Sequence, residues 1–307
     1  MKTSADPTGT KVVGMINECA GGITPWGHLA RHRGELPWQL FGQGCRRRAP
    51  GRRHKRYGVP GNSYNWGAYY GRFDVAKEPN EANRFGWIVE IDPFDPLSTP
   101  RKRTALGRFK CEGAMGIFNK DGRYVVYSGD DERFEYVYKF VTAGTVDTAD
   151  PAANRDLLDN GTLYVARYDA DGTVTWLPPV HGERPLTAEN GFTSQADVVI
   201  EVRRAADLLG ATKMDRPEDI EPNPKNSSVY VILTNNSRRK PEQVERRQPA
   251  RGEPVRPHRR NDPAGRRPRG DEVHLGHPGA VRRSQRRRGR RHVRRGDQQG
   301  RLVRHAG

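Results

Sequence analysis

Residues 119–141 read N-K-D-G-R-Y-V-V-Y-S-G-D-D-E-R-F-E-Y-V-Y-K-F-V, and their pattern decides the fold. An Asn-Lys-Asp-Gly turn at 119–122 leads into a run of aromatic and β-branched residues at 123–128, and a second such run follows at 136–141. Residues of these types favour strands, whereas Asn, Asp and Gly favour the tight turns between them. The stretch therefore predicts two neighbouring β-strands.

The alternation of strand and turn continues on both sides of this stretch. Strand-like runs lie at 84–91, 162–167 and 229–233, and turn sequences lie at 92–96 and 169–172. Helical pattern is confined to short stretches such as 194–209. Many short strands at similar spacing indicate an all-β sandwich, barrel or propeller. The repeated Asp-x-x-Gly and Asp-Pro turns between strands favour the β-propeller.

Charge is distributed unevenly along the chain. The 307 residues contain 54 Lys and Arg against 37 Asp and Glu, which gives a net charge of +17. Residues 246–307 hold 20 Arg, no Lys and 5 acidic residues, a balance of +15, and residues 28–54 hold 7 Arg and 1 acid, a balance of +6, so the remainder carries −4. The basic average, which by itself suggests nucleic-acid binding, therefore belongs to two segments only.

Neither Arg-rich segment has the pattern of a folded domain. Reading the possible codons of residues 28–39 one base later allows T-W-L-x-T-E-E-N-F-H-G. The same shift at 252–263 allows E-N-R-F-G-H-I-V-E-M-T, which nearly repeats N-R-F-G-W-I-V-E-I at 83–91. We therefore predict that 28–54 and 246–307 are frame-shifted translations, with genuine basic segments as the alternative. Residues 246–307 are expected to be disordered, because like charges repel and no apolar pattern supports a core.

Five in-frame strings carry a resemblance to a known family. They are N-E-C-A-G-G-I-T-P-W-G at 17–27, Y-G-V-P-G-N-S-Y-N-W-G at 57–67, R-F-G-W at 84–87, Y-S-G-D-D-E-R at 127–133 and M-D-R-P-E-D-I-E at 214–221. Over residues 12–27 and 56–245 the chain resembles the PhoX-type alkaline phosphatases. The resemblance implies a six-bladed β-propeller that is exported to the periplasm by a twin-Arg signal. It also implies hydrolysis of small phosphate monoesters at a cluster of Ca²⁺ and Fe³⁺.

The chain departs from the family pattern in several respects. The shifted reading of 28–40 recovers the family's T-W-L-T-C-E-E-N-F motif without its Cys, and the paired Glu is absent from the chain as written. Residues 1–11 contain neither an apolar h-region nor a twin-Arg pair, and no apolar run approaches the roughly 18 residues of a membrane helix. We therefore expect an incomplete propeller over 1–245, inactive as it stands and monomeric once completed, with no membrane and no specific nucleic acid as partner.

The string R-P-E at 216–218 is the first candidate for chemistry. Hard cations need carboxylate oxygens, and phosphoryl transfer needs a guanidinium on the phosphate oxygens. Pro217 restrains φ between the two groups. The resemblance implies a catalytic, phosphate-binding role for Arg216 and an iron-ligating role for Glu218, and a surface salt bridge on a turn is the alternative. Glu221, three residues on, is a further calcium or iron candidate.

Three other carboxylates are candidate metal ligands. Glu112 lies in K-C-E-G at 110–113, which resembles a metal-ligand segment of the family with Cys111 at the position of its His; an exposed turn Glu is the alternative. Asp130 and Asp131 follow a predicted strand and have the charge density that calcium requires, and a solvated turn is the equal alternative. Cys19 is expected to be a small buried structural residue, and Cys111 a half-buried free thiol.

Two functions from other classes remain open on the sequence. One is a non-catalytic β-propeller that binds a partner or acts as a scaffold. The other is a polyanion-binding protein that uses its Arg-rich tail, since Arg runs bind polyanions by charge. A phosphatase assay with added Ca²⁺ and Fe³⁺ and salt-dependent DNA binding by residues 246–307 separate these possibilities.

Overall fold

The computed structural model describes residues 1–16, 18–33, 51–61, 64–234, 236–240 and 243, together with the backbone of 254–257 and 274–276. A four-stranded antiparallel sheet has the order β1-β2-β3-β4, with β1 at Glu18–Ile23, β2 at Leu29–Arg33, β3 at Ile88–Ile91 and β4 at Arg101–Arg103. The second sheet contains an antiparallel meander of β5 at Met115–Phe118, β6 at Arg123–Gly129, β7 at Val137–Thr145, β8 at Gly161–Tyr168 and β9 at Thr173–Leu177.

The second sheet continues through four later strands. They are β10 at Pro217–Pro222, β11 at Ser228–Leu233, β12 at Pro254–Pro257 and β13 at His274–Gly276, in the sheet order β10-β11-β13-β12-β9. Three α-helices are described: α1 at Arg52–Lys55, α2 at Gln195–Ile200 and α3 at Val202–Leu209. Single 3₁₀ turns lie at Trp66–Ala68, Gly71–Phe73, Glu81–Arg84, Thr104–Leu106, Pro151–Asn154, Leu157–Asp159 and Ala188–Asn190.

Strand β6 is buried on both faces, and this places it at the centre of the described structure. Side chains alternate between the faces of a strand, so Tyr124 and Val126 pack with the first sheet and with Val202 of α3. Val125 and Tyr127 point the other way and pack against the β10–β11 hairpin. The continuous run of aromatic and β-branched residues at 124–127 is thus explained by burial on both sides. The end of β6 is consequently held between two apolar layers.

The coarse fold prediction is confirmed, because the architecture is mostly antiparallel sheet. The runs predicted at 123–128, 136–141, 162–167 and 229–233 correspond to β6, β7, β8 and β11. The helical pattern at 194–209 corresponds to α2 and α3, and the Ser194 side chain accepts the Asp197 N–H as a cap. The propeller itself stays a prediction.

The strand predicted at 84–91 is only half formed. Residues 81–84 form a 3₁₀ turn, and the strand begins at Ile88, after Gly86 at φ +86°. A positive φ interrupts an extended strand, and glycine adopts it readily. The apolar run therefore begins before the strand does.

The two Arg-rich segments are described only in part. Within 28–54, residues 29–33 form β2 and 52–54 belong to α1, whereas 34–50 lie outside the described residues. Within 246–307, two short strands are described, and the rest lies outside the described residues. The frame-shift and disorder predictions therefore stay predictions. In the part of the chain that the structure describes, no helix has the length and apolarity needed to cross a membrane.

Candidate active site

Two segments of the chain meet beyond the carboxyl end of β6. The loop at 130–135 leaves β6, and residues 214–216 run beside it. The Phe134 N–H donates to the Met214 carbonyl (2.9 Å), and the Met214 N–H donates to the Glu135 carbonyl (2.8 Å). These two hydrogen bonds hold residues 214–216, which precede β10, against the loop at 130–135.

Gly129 allows β10 to lie directly on the end of β6. A Cβ atom at this position would lie 2.3 Å from the Glu218 carbonyl oxygen and 2.4 Å from that of Pro217. Both atoms are backbone, so a side chain at 129 would push β10 away. The absence of a side chain at Gly129 therefore sets how close the R-P-E string lies to the loop.

Arg216 faces the loop from a left-handed backbone conformation, with φ +55°. Its Nη2 donates to Asp131 Oδ2 (2.8 Å) and lies 3.3 Å from Glu218 Oε1. The side chain remains 33% exposed, so solvent and ligands can reach it. Partial burial acts to lower the pKa of Arg216, but the hydrogen bond to Asp131 and the negative charges of Asp131 and Glu218 raise it above its ordinary value. The guanidinium is therefore a permanent positive charge at the site.

Glu112 lies on the other side of Asp131. Its N–H donates to the Gly129 carbonyl (3.1 Å), which ties it to the end of β6. Burial, followed by the negative charges of Asp131 and Glu218, raises the pKa of Glu112 to about 7 against the lowering effect of a hydrogen bond with Cys19. Carboxylates are thus crowded here beyond what the neighbouring arginine neutralises.

Among the described residues, no N–H or hydroxyl group donates to one of the two Asp131 carboxylate oxygens. Asp131 Oδ1 is buried and has no hydrogen-bond donor among the described residues, while its other oxygen accepts from Arg216. A buried carboxylate oxygen without a donor costs free energy unless a proton or cation meets it. The pair of Glu112 and Asp131 is therefore chemically suited to a hard cation.

Strand β10 contributes a second pair of carboxyl groups. Burial, together with the charge of Asp219, raises the pKa of Glu221. Asp219 accepts the Ile220 N–H (3.0 Å), and its Oδ1 lies 2.3 Å from where a Cβ at Gly113 would be. Sequence reasoning did not single out Asp219. The signal was available, because Asp219 and Glu221 flank the buried Ile220 and so share the opposite face of the strand.

Asp130 lies apart from this group. Its side chain is fully buried, and Arg203 of α3 donates through Nε to Asp130 Oδ2 (2.7 Å) and through Nη2 to Oδ1. The Lys110 N–H also donates to Asp130 Oδ1 (3.1 Å). The adjacent residues Asp130 and Asp131 thus point to opposite sides of the loop. A metal role for Asp130 stays a prediction that these contacts do not support.

The family model described as alkaline phosphatase PhoX matches residues 1–273. The chain belongs to the PhoX alkaline phosphatase family. A solved structure, Pseudomonas fluorescens PhoX in complex with vanadate, a transition state analogue, is 50% identical in sequence, with a TM-score of 0.75. The match covers 78% of this chain and 43% of that one, so the chain spans less than half the length of that PhoX protein. No curated protein matches the chain.

The carboxylate oxygens at this candidate site are of the kind that hard cations prefer, but they do not form a complete ligand set among the described residues. Glu112 and Glu218 place carboxylate oxygens near Asp131. Asp131 Oδ1 has no hydrogen-bond donor among the described residues. Among the residues that the structure describes, no three His, Cys, Asp or Glu side chains are grouped so as to hold a metal ion.

Neither of the two cysteines that the structure describes has the predicted exposure. Cys19 of β1 is exposed and lies against Glu112, so the prediction of a buried structural residue was wrong. Local desolvation, followed by the hydrogen bond and charge of Glu112, raises the pKa of the Cys19 thiol to about 11. Cys111 is fully buried in the core cluster, so the prediction of a half-buried thiol was also wrong, and burial raises the pKa of its thiol. Both thiols therefore remain protonated at neutral pH.

Proposed function

We propose that the chain carries part of a phosphomonoesterase site in which Arg216 binds the phosphate group of the ester. The observation that carries this proposal is the position of Arg216: it is accessible, charged and held in place beside carboxylates that it does not fully neutralise. The related PhoX protein was solved with vanadate, a transition state analogue. A site that binds such an oxyanion needs a fixed positive charge of this kind.

The backbone of Arg216 supports a functional role. A non-glycine residue in the left-handed region costs about 1–2 kcal/mol, and such strain persists where the surroundings over-determine it, often at functional sites. Asp131 and Glu218 both contact Nη2, so Nε and Nη1 have no partner within the described residues. These two donors are the ones that can meet a phosphate, while Asp131 holds the other end of the guanidinium.

We propose further that Glu112, Asp131, Glu218 and Glu221 contribute to holding Ca²⁺ and Fe³⁺. The chemistry supplied by these ions when bound is Lewis acidity toward the phosphoryl oxygens. Glu112 and Asp131 present facing carboxyl groups whose repulsion a cation relieves. Glu218 contacts Arg216, and its negative charge also acts on Glu112, so it links phosphate binding to cation binding. Asp130 is left out of this set because Arg203 already neutralises it.

The larger architecture is proposed in the same terms. The four-stranded antiparallel sheet β1–β4 has the size and topology of one propeller blade, which supports a partial β-propeller over residues 1–245. We propose that 28–54 and 246–307 are frame-shifted, that the completed protein is a monomer, and that it is exported to the periplasm by a twin-Arg signal. Sequencing the coding DNA around codons 27, 54 and 245 tests the frame directly.

A non-catalytic β-propeller binding protein is the alternative. It is favoured by one observation, the lack of a three-ligand group among the described side chains. In that case the Arg216 site would bind an oxyanion without turning over an ester. Orthovanadate binding and ester hydrolysis are therefore measured separately.

The test compares the parent chain with Arg216→Ala in the presence of Ca²⁺ and Fe³⁺. Orthovanadate affinity is measured by calorimetry, and ester hydrolysis is measured with a nitrophenyl phosphate as substrate. Turnover by the parent chain is expected to be weak, because the chain lacks the paired Glu of the family motif. In the protein with its reading frame restored and its missing ends added, Arg216→Ala should lower kcat/KM about 100-fold, or about 2.7 kcal/mol, because the guanidinium contact strengthens as charge develops on phosphorus. Orthovanadate affinity should fall with it.

Arg167→Ala is the matched control. Arg167 is similarly exposed (39%) and pairs with Asp169 at 2.9 Å on a turn, so it reports the loss of an ordinary surface ion pair. Its orthovanadate affinity should equal that of the parent. Equal orthovanadate binding by the parent and Arg216→Ala refutes the phosphate-binding role.

A further inference from the structure

A buried ion pair lies directly behind the site. Arg203 is 3% exposed and donates hydrogen bonds to the Asp130 carboxylate from both Nε and Nη2. Its Nε also lies 3.6 Å from Glu135 Oε2, and its guanidinium lies over the Tyr57 ring, 5.2 Å from the centroid. Arg203 is thus restrained on three sides, and the orientation of the Asp130 carboxylate is restrained with it.

The backbone transmits this restraint to Asp131. The Asp131 N–H donates to the Lys110 carbonyl (2.6 Å), and the Glu132 N–H donates to the Asp130 carbonyl (2.7 Å). The Lys110 N–H in turn donates a hydrogen bond to Asp130 Oδ1 (3.1 Å). With residue 130 held from the inside, residue 131 presents its carboxylate to the opposite side, where it meets Arg216.

Stability alone does not account for this pair. Two buried charges must be removed from water, and well-packed apolar residues of similar volume often stabilise a core equally well. A bidentate arginine–carboxylate pair, in contrast, adds a defined geometry. Lysine keeps the charge but lacks the planar fork, so it cannot supply the same orientation.

We infer that Arg203 is a positioning residue for phosphate binding: it orients Asp130, and through the adjoining peptide it sets the Asp131 carboxylate that holds Arg216. This rests on the proposed role of Arg216. Arg203 reaches the ligand only through Asp130, Asp131 and Arg216. Its effect is therefore expected on the affinity for an oxyanion, without direct contact.

The test replaces Arg203 by lysine in the full chain. Arg203→Lys keeps Asp130 neutralised, and its expected consequence is about tenfold weaker orthovanadate binding, which corresponds to the loss of one well-oriented contact. Hydrogen exchange at the amides of Asp131 and Glu132 should accelerate, because the loop loses its internal anchor. Amides of β8 should exchange as in the parent.

Arg103→Lys is the matched control. Arg103 is likewise buried and pairs with a buried carboxylate, Glu90, at 2.6 Å, but this pair belongs to the first sheet. It should leave orthovanadate affinity and exchange in the 130–135 loop unchanged. A second variant, Asp130→Asn combined with Arg203→Gln, removes both charges and should show the same loss of affinity as Arg203→Lys.

The outcomes separate this inference from the function on which it rests. If Arg203→Lys folds and both its orthovanadate affinity and its loop exchange equal those of the parent, the inference is overturned. Equal weakening by Arg103→Lys and Arg203→Lys also overturns it, because the effect is then general destabilisation. If the parent itself binds no orthovanadate, the proposed function fails, and the exchange at Asp131 and Glu132 still decides whether Arg203 positions the loop.

Discussion

Gly129→Ala is the most direct test of how the site is assembled. An alanine Cβ would lie 2.3 Å from the Glu218 carbonyl oxygen and 2.4 Å from the Pro217 carbonyl oxygen. Real Cβ atoms essentially never come within 3.0 Å of such neighbours, so β10 must move by at least 0.7 Å, the difference between 2.3 and 3.0 Å. No side-chain rotation relieves the clash, because both oxygens belong to the backbone.

The displacement has two expected consequences. Overpacking of this kind costs about 1–3 kcal/mol of unfolding free energy. Because Glu218 lies on β10 and Arg216 directly precedes this strand, the same shift moves the guanidinium relative to Asp131. A misplacement of about 1 Å can lower catalysis about 100-fold. Both the stability and the oxyanion affinity of Gly129→Ala should therefore fall.

Urea unfolding and orthovanadate calorimetry measure these two effects. Gly71→Ala is the control, since a Cβ there meets only Lys77 Cδ at 3.8 Å, an ordinary contact. It should be neutral in both assays. If Gly129→Ala unfolds within about 0.5 kcal/mol of the parent, the range of an ordinary surface substitution, the close packing of β10 on β6 is refuted.

Three other predictions address metal retention, pH dependence and the tail. Glu218→Gln should reduce the iron that remains after desalting, measured by metal analysis, because a neutral amide is a poor ligand for a trivalent ion. Burial acts to raise the pKa of Asp207, but hydrogen bonds from Arg56 and Tyr136 lower this pKa below its ordinary value of 3.8. The ionised Asp207 carboxylate therefore stabilises the fold above about pH 4, and this stabilisation is lost as the pH falls further. Asp207→Asn should accordingly cost about 1–2 kcal/mol at pH 7, and the difference from the parent in urea unfolding should narrow at pH 3. Residues 246–307 as an isolated peptide should bind DNA with an affinity that falls steeply with salt, and salt-independent binding would contradict a purely electrostatic interaction.

Strand positions were largely predictable from sequence, for a local reason. Aromatic and β-branched runs bounded by Asn, Asp and Gly turns correspond to β6, β7, β8 and β11, since the preference for a half-buried or buried strand is expressed within a few residues. The R-P-E string and Glu112 were singled out through their resemblance to PhoX motifs, and their roles stay predictions. The exception at 84–91 arose because a single glycine, at φ +86°, interrupts an otherwise apolar run.

The different ion-pair partners of Asp130 and Asp131 were not predictable from the sequence. The two residues are identical and adjacent, and the sequence treats them alike. Only the tertiary packing distinguishes them: α3 places Arg203 against Asp130, and the segment that precedes β10 places Arg216 against Asp131. Asp130 thereby becomes part of the interior, and Asp131 part of the site.

The sequence by itself determined the strand-and-turn pattern of this protein, its family and the residue types available for phosphate and cation binding. Tertiary structure decided which of them meet. It brought Arg216 to Asp131 across 85 residues and turned Cys19 outward against Glu112. The physical reason is range: strand and turn preferences act between neighbours in the chain, whereas hydrogen bonds and charge interactions depend on distances that exist only after the sheets have packed.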